Sequence, residues 1–88
     1  MDNFRAGKAY NITSLASPTS TQGSAVSAGV TMLRVVASAA VQVRVGANPT
    51  AVTTDTLIPP NFPVFINVTP GEKLASVGAA TVSVTECA

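Results

Sequence analysis

Hydrophobic and polar residues alternate without a break from position 41 to position 45, in the sequence VQVRV. Residues two apart in a β-strand point to the same face, so the three valines share one face and Gln42 and Arg44 share the other. A helix would not sort these residues into two such faces. The pattern therefore predicts a half-buried strand, which ends before Pro49 because proline has no backbone donor for a ladder.

A second strand is predicted at residues 30–37, where Leu33 and Val35 share one face. The opposite face also carries apolar residues, so we expect a central strand or one whose outer face meets a partner. Only residues 38–40 separate this strand from the one at 41–45, and so short a connection predicts an antiparallel hairpin. Further strands are predicted at residues 9–15, 24–27, 62–68, 73–77 and 80–86.

The C-terminal third is predicted to be a three-stranded meander. Its first strand, at 62–68, would turn valine and isoleucine side chains inward and Phe65 outward. The sequence TPGE at 69–72 suits a type II β-turn, because proline fixes φ at the second position and glycine tolerates a positive φ at the third. The strands at 73–77 and 80–86 follow.

These elements predict an all-β fold, a small antiparallel β-sandwich or barrel of six to seven short strands. The chain has five basic and four acidic residues, and three of these charged residues lie within residues 1–8. This segment shows no periodic pattern of apolar residues. We therefore predict an extended N-terminal arm at residues 1–8 and a single β-sandwich domain at residues 9–88.

The composition indicates a protein that associates with others. An 88-residue domain buries only about 60–65% of its unfolded surface, so it is marginally stable alone. One cysteine, Cys87, cannot form an intramolecular disulfide, and without histidine or a second cysteine a zinc site is not expected. Charged residues make up 10% of the chain, against about 25% in an ordinary domain. Oligomerisation or docking onto a larger body is the remaining way to gain stability.

Other classes of partner and location receive no support. The net charge of +1 gives no basic patch for nucleic acid or an anionic membrane. The start of the chain has no apolar segment typical of a signal peptide, and the weakly polar stretch at 35–41 is far shorter than the roughly 20 residues of a membrane span. We expect synthesis in the cytoplasm without classical export.

The sequence also gives no support for a catalytic function. The chain has no histidine, which excludes Ser-His-Asp and Cys-His arrangements. The four carboxylates, Asp2, Asp55, Glu72 and Glu86, fall in the arm, in loops and at a strand end, so an acid–base pair is not expected. There is no glycine-rich phosphate loop. We therefore predict a protein that is not an enzyme, with no cofactor and no metal.

Six residues are candidates for contacts with a protein partner. Arg34 and Arg44 would lie side by side across the predicted hairpin. Phe65 and Tyr10, if exposed, would be interface anchors, although either could instead belong to the core. Phe4 and Arg5 lie in the predicted arm, which would become ordered on binding.

Part of the chain resembles small structural proteins of tailed bacteriophages. The resemblance lies in RVGANPTA at 44–51, in VTPGEK at 68–73 and in a terminal VTE at 84–86, which occur in the same order as in those proteins. Asp55 and Pro59-Pro60 lie between the first two motifs. The match covers roughly the C-terminal half of the chain.

This resemblance implies a virion component, and head decoration (cement) is the role that we expect. Such a protein binds the major capsid protein on the surface of the head, as a homo-oligomer, with a trimer matching capsid symmetry axes. The alternatives are another virion part, such as a head fibre base or a tail protein, and a carbohydrate-binding module for host adsorption. The last would need exposed aromatic residues, and the chain has one Tyr, three Phe and no Trp.

Overall fold

A computed structural model describes residues 6–87, apart from the side chain of residue 6. Within that range the protein is all-β, and it has no helix that is long and apolar enough to cross a membrane. The strands are β1 (Ala6–Ser14), β2 (Thr21–Gln22), β3 (Met32–Ala37), β4 (Val41–Gly46), β5 (Thr56–Ile58), β6 (Val64–Asn67), β7 (Lys73–Val77) and β8 (Ala80–Cys87).

The strands form two antiparallel sheets of four strands each. Sheet A has the order β1-β8-β3-β6 and sheet B the order β2-β7-β4-β5. The pairs β4–β5, β3–β6, β2–β7 and β1–β8 are nested one outside the next along the chain, and successive pairs lie in opposite sheets. This rolled-up connectivity is that of an eight-stranded jelly roll.

The predicted all-β sandwich is therefore confirmed, but its predicted connectivity is wrong. Strands β3 and β4 lie in different sheets, so residues 38–40 cross from one sheet to the other and do not close a hairpin. The predicted meander is wrong for the same reason, because β6 and β8 belong to sheet A and β7 to sheet B. An alternating pattern shows which face of a strand is buried, but strands of both sheets bury their faces in the same core.

The predicted strand count, one predicted strand and the end of the predicted arm also differ from the structure. The described residues contain eight strands, not six or seven, because β2 and β5 are only two and three residues long. The strand predicted at 24–27 is absent; that segment follows β2. Of the predicted arm, residues 1–5 lie outside the described residues, whereas residues 6–8 are the beginning of β1.

The core lies between the two sheets and is built mainly of valine. The predicted facing of β3 and β4 is confirmed, since Leu33 and Val35 are buried from one side and Val41 and Val43 from the other. In β6 the valine and isoleucine side chains pack against the core and Phe65 points away from it, also as predicted. The largest fully buried side chains are Leu33, Val35, Val41, Ile58, Leu74, Ser76, Val77, Val82 and Val84.

One end of the sandwich is closed by residues 23–31, which bury Val26 and Val30 in the core. The turn before β7 holds this segment, because the Gly71 N–H donates to the Val26 carbonyl at 2.9 Å. That turn is the predicted type II turn: Gly71 has φ +92°, and the Glu72 N–H donates to the Thr69 carbonyl at 3.0 Å.

The outer face of sheet B is covered by the loop between β4 and β5, residues 47–55. Ala51 from this loop packs on Ala75 and Val77 of β7 and forms a second small apolar cluster. The Ala51 N–H donates to the Ser20 hydroxyl at 2.9 Å, and the Gln22 amide nitrogen donates to the Pro49 carbonyl at 2.8 Å. This loop leaves much less of sheet B open to a partner.

Candidate functional site

Two of the predicted contact residues, Arg34 and Phe65, are neighbours on the outer face of sheet A. They are directly opposite each other in the register of β3 and β6. The Phe65 side chain is 49% exposed, and Arg34 is half-buried. An aromatic ring beside a guanidinium group is a combination that protein interfaces favour.

Arg44 lies elsewhere. It is on β4 in sheet B, so the prediction that it lies beside Arg34 is wrong. Its guanidinium donates from Nη2 and Nε to Asp55 Oδ1, at 2.8 and 3.1 Å. The other carboxylate oxygen, Asp55 Oδ2, accepts the Val52 N–H at 2.9 Å. Arg44 thus fixes the end of the 47–55 loop.

The contacts of Asp55 also change its acidity. The hydrogen bond from the Val52 N–H, followed by that from Arg44, lowers the pKa of the Asp55 carboxyl below its usual value. Both contacts favour the charged form. Asp55 therefore remains a carboxylate at neutral pH, as the ion pair with Arg44 requires.

Tyr10 lies at the opposite edge of sheet A from Phe65, on β1. Its ring is half-buried and packs against the core and over Gly23, where a Cβ atom would be 2.8 Å from the ring. The hydroxyl donates to the Ser24 carbonyl at 3.4 Å. Burial, with a smaller effect of the Glu86 carboxylate, raises the pKa of Tyr10. Of the two roles considered for Tyr10, this position fits the core. Phe4 and Arg5 lie outside the described residues.

Sequence reasoning missed two exposed apolar residues close to Phe65 along the chain. Phe62 is 61% exposed and Leu57 is 54% exposed. Leu57 is on β5, Phe62 is in the connection that follows, and Phe65 is on β6, where β5 and β6 are the edge strands of their sheets. Leu57 points from the outer face of sheet B, beside Gln42, and Phe65 points from the outer face of sheet A. The signal that could have found them is their place at the proline-rich stretch 59–63, since Phe62 lies within this stretch and Leu57 just before it.

A groove of about 290 Å³ runs along the same edge, between β4, β5 and β6. Its apolar wall consists of Val43, Val45 and Ile66, and the Arg44–Asp55 ion pair stands at its border. We call Leu57, Phe62, Phe65 and this groove the β5–β6 rim. Its chemistry suits an apolar protein surface flanked by polar groups.

Other chemistry is not favoured by what the structure places together. Among residues 6–87 no three His, Cys, Asp or Glu side chains are grouped so that they could hold a metal ion. Cys87 is buried, and this burial raises the pKa of its thiol, which disfavours the reactive thiolate.

Among the described residues, the rim is therefore the surface whose chemistry best suits a contact with another protein. Comparisons of this chain with protein-family models, with curated proteins and with solved structures found no match.

Proposed function

We propose that this protein is a structural component of a tailed-phage virion, a decoration protein that binds the major capsid protein on the surface of the head. The observation that carries the proposal is the β5–β6 rim. Phe62, Leu57 and Phe65 expose large apolar side chains at one edge of a sandwich whose other apolar residues mostly fill its core. The motifs at 44–51, 68–73 and 84–86 that resemble phage structural proteins supply the kind of partner.

The architecture and the charge support the same role. Jelly rolls recur in virus capsid proteins, although lectins and cupins use them as well. With a charged fraction of 10% and a net charge of +1, the molecule meets little long-range repulsion when many copies crowd onto one particle. Sheet B is partly covered by its own 47–55 loop, so the rim is the more accessible apolar surface.

The mechanism is burial of apolar surface between capsid subunits. Fully burying a phenylalanine or leucine side chain contributes about 1.5–3 kcal/mol. Central aromatic residues commonly provide most of the binding energy of an interface. A rim that contacts two neighbouring capsid proteins at once would resist their separation when packaged DNA presses outward. Association as an oligomer would multiply the number of such contacts.

The decisive experiment is to count copies of the protein in separated heads and tails of the virions that contain it, by quantitative mass spectrometry. We expect hundreds of copies per particle, all in the head fraction. A dozen copies or fewer, or copies in the tail fraction only, would mean a tail or head-fibre role and would refute decoration. Binding of the purified protein to a glycan array and not to heads that lack it would support the adsorption role instead.

A further inference from the structure

The four sheet edges of the sandwich differ in how open they are to another strand. At the edges of sheet B, β2 and β5 are two and three residues long. In sheet A, the edge strand β6 has four residues and begins directly after Pro63. Short strands and prolines are the usual protection of an edge. The remaining edge strand, β1, has nine residues and contains no proline.

We infer that the free edge of β1 pairs with β1 of a second copy of this protein, in an antiparallel arrangement about a two-fold axis. The pairing would join two copies of sheet A into one eight-stranded sheet. Unpaired N–H and C=O groups along an edge strand are a ready template for such an addition.

The side chains of β1 fit a second copy because they carry no charge over the part that pairs regularly. The ladder with β8 is regular from Ala9 to Ser14, and a register shift separates Ala9 from Ala6. The charged residue of β1, Lys8, lies within that irregular start. Two identical neutral strands can approach without like-charge repulsion, which an edge lined with lysines would prevent.

The register can be chosen from the side chains. Centring the two-fold axis on Asn11 places Ala9 opposite Thr13 on the outer face, where both side chains are small and exposed. On the inner face it places Tyr10 opposite Ile12, twice. Aromatic and β-branched residues facing each other are among the favourable cross-strand pairs, worth about 0.2–1 kcal/mol each.

This contact lies at the opposite edge of sheet A from the β5–β6 rim. A copy could therefore use β1 for a second copy and the rim for the capsid at the same time. Pairing through β1 would make the protein a dimer with a two-fold contact, whereas capsid symmetry alone led us to expect a trimer. It can be tested on the purified protein alone, so its failure would leave the capsid role untouched.

The first test is a cysteine at the centre of the pair, Asn11→Cys. The backbone groups of Asn11 face the free edge, because the ladder with β8 uses those of Tyr10, Ile12 and Ser14. Facing residues of a hydrogen-bonded antiparallel pair have Cα atoms about 5.5 Å apart, within the range of about 4.4–6.8 Å that a disulfide spans. The matched control is Asn67→Cys, which replaces another exposed asparagine on the outer face of sheet A, at the β6 edge. We expect Asn11→Cys to form a covalent dimer under mild oxidation, while Asn67→Cys and the wild type, with its buried Cys87, stay uncrosslinked.

The second test measures the oligomeric state by analytical ultracentrifugation at a protein concentration of about 100 µM. At this concentration a dimer with a dissociation constant of about 1 µM is almost fully formed. We expect a wild-type dimer. Asn11→Lys should raise its dissociation constant about tenfold or more because like charges would then face each other, and Asn67→Lys should leave it unchanged. Circular dichroism checks that each variant is folded. A monomeric or trimeric wild type, or equal crosslinking at positions 11 and 67, would overturn the inference.

Discussion

Ser14 and Ser76 are polar residues buried between the two sheets. They belong to β1 in sheet A and to β7 in sheet B, and their hydroxyl oxygens are 2.9 Å apart. A hydrogen bond across the core satisfies both groups where water has no access. The pair fixes how one sheet sits on the other more specifically than valine packing can, since it demands one distance and one direction.

We predict that Ser14→Ala and Ser76→Ala are each destabilising, while the double variant is much less so. Either single change leaves one buried hydroxyl without its partner, at a cost of about 1–3 kcal/mol, whereas removing both leaves no unpaired group. Urea unfolding of the four proteins gives the coupling energy of the cycle. Additive effects of the two changes would contradict the hydrogen bond.

Asp55 predicts a pH dependence of stability. Its pKa is lowered in the folded protein, so it binds a proton less readily when folded than when unfolded, where its pKa is about 3.9. Its contribution to stability is therefore complete above the unfolded pKa and is lost as the pH falls through the folded pKa. The difference in unfolding free energy between wild type and Asp55→Asn should be largest near neutral pH and shrink below about pH 4.

The control for this prediction is Arg44→Gln, which removes the cationic partner and leaves the carboxyl. It should make Asp55 titrate closer to its usual range, because the Val52 N–H alone would then hold the carboxylate. If the difference in unfolding free energy between wild type and Asp55→Asn stayed constant from pH 7 to pH 3, the charge of the carboxylate would contribute nothing to stability.

At the scale of the elements, the positions of the strands and their buried faces could be predicted from the sequence. The alternation in VQVRV at 41–45 and around Leu33 is a local property, set by the two-residue period of a strand. Pairing is not local. Residues 38–40 and 78–79 have the composition and length of hairpin turns, yet both cross between sheets. Only the packing of the whole chain decides between these two outcomes.

The same limit applies to the candidate site. Phe65 was correctly predicted to point outward because its neighbours in β6 alternate with it. Arg44 could not be separated from Arg34 without knowing the sheets. The burial of Ala75 and Val77 on the outer face of sheet B depends on the distant Ala51, which no pattern within β7 can reveal.

The connection at residues 78–79, which crosses from sheet B to sheet A, predicts how a substitution of Gly78 affects stability. Gly78 has φ +122°, and a Cβ atom there would lie 3.1 Å from the Ala40 carbonyl oxygen, in the other crossing connection. Gly78→Ala should therefore cost at least the roughly 1–3 kcal/mol of an unfavourable backbone conformation. Gly29→Ala is the control, since Gly29 has φ +83° but no atom within 4 Å of the added carbon. Thermal unfolding should show a larger loss for Gly78→Ala, and equal losses would mean that the two crossings are not in contact.

At the scale of the whole molecule, the sandwich presents two different edges. The β5–β6 rim offers apolar side chains, whereas the β1 edge offers backbone hydrogen-bonding groups and neutral side chains. Side-chain burial and strand addition are distinct ways of binding. A small domain that uses both can link copies of itself while each copy holds a larger partner.

The rim predicts which variants lose binding to heads. Phe62→Ser combined with Phe65→Ser should weaken binding of the purified protein to heads that lack it by about 100-fold or more, since losing two exposed anchors removes about 3 kcal/mol or more. The matched control is Leu15→Ser, because Leu15 is 49% exposed, like Phe65, but follows β1 at the other edge of sheet A. Pelleting of heads with bound protein measures the affinity, and equal effects of the two changes would exclude the rim as the binding surface.

The nested strand order also determines when the fold can be completed. The innermost pair, β4–β5, joins neighbours along the chain, whereas β1–β8 joins Ala6 to Cys87, across nearly the whole sequence. Contacts between such distant residues make folding slow, in the range of milliseconds to seconds for β-sandwiches. During synthesis β1 leaves the ribosome before the other seven described strands, but its partner β8 is made after them. In each new molecule the longest ladder therefore forms only after all the strands between β1 and β8 have been synthesised.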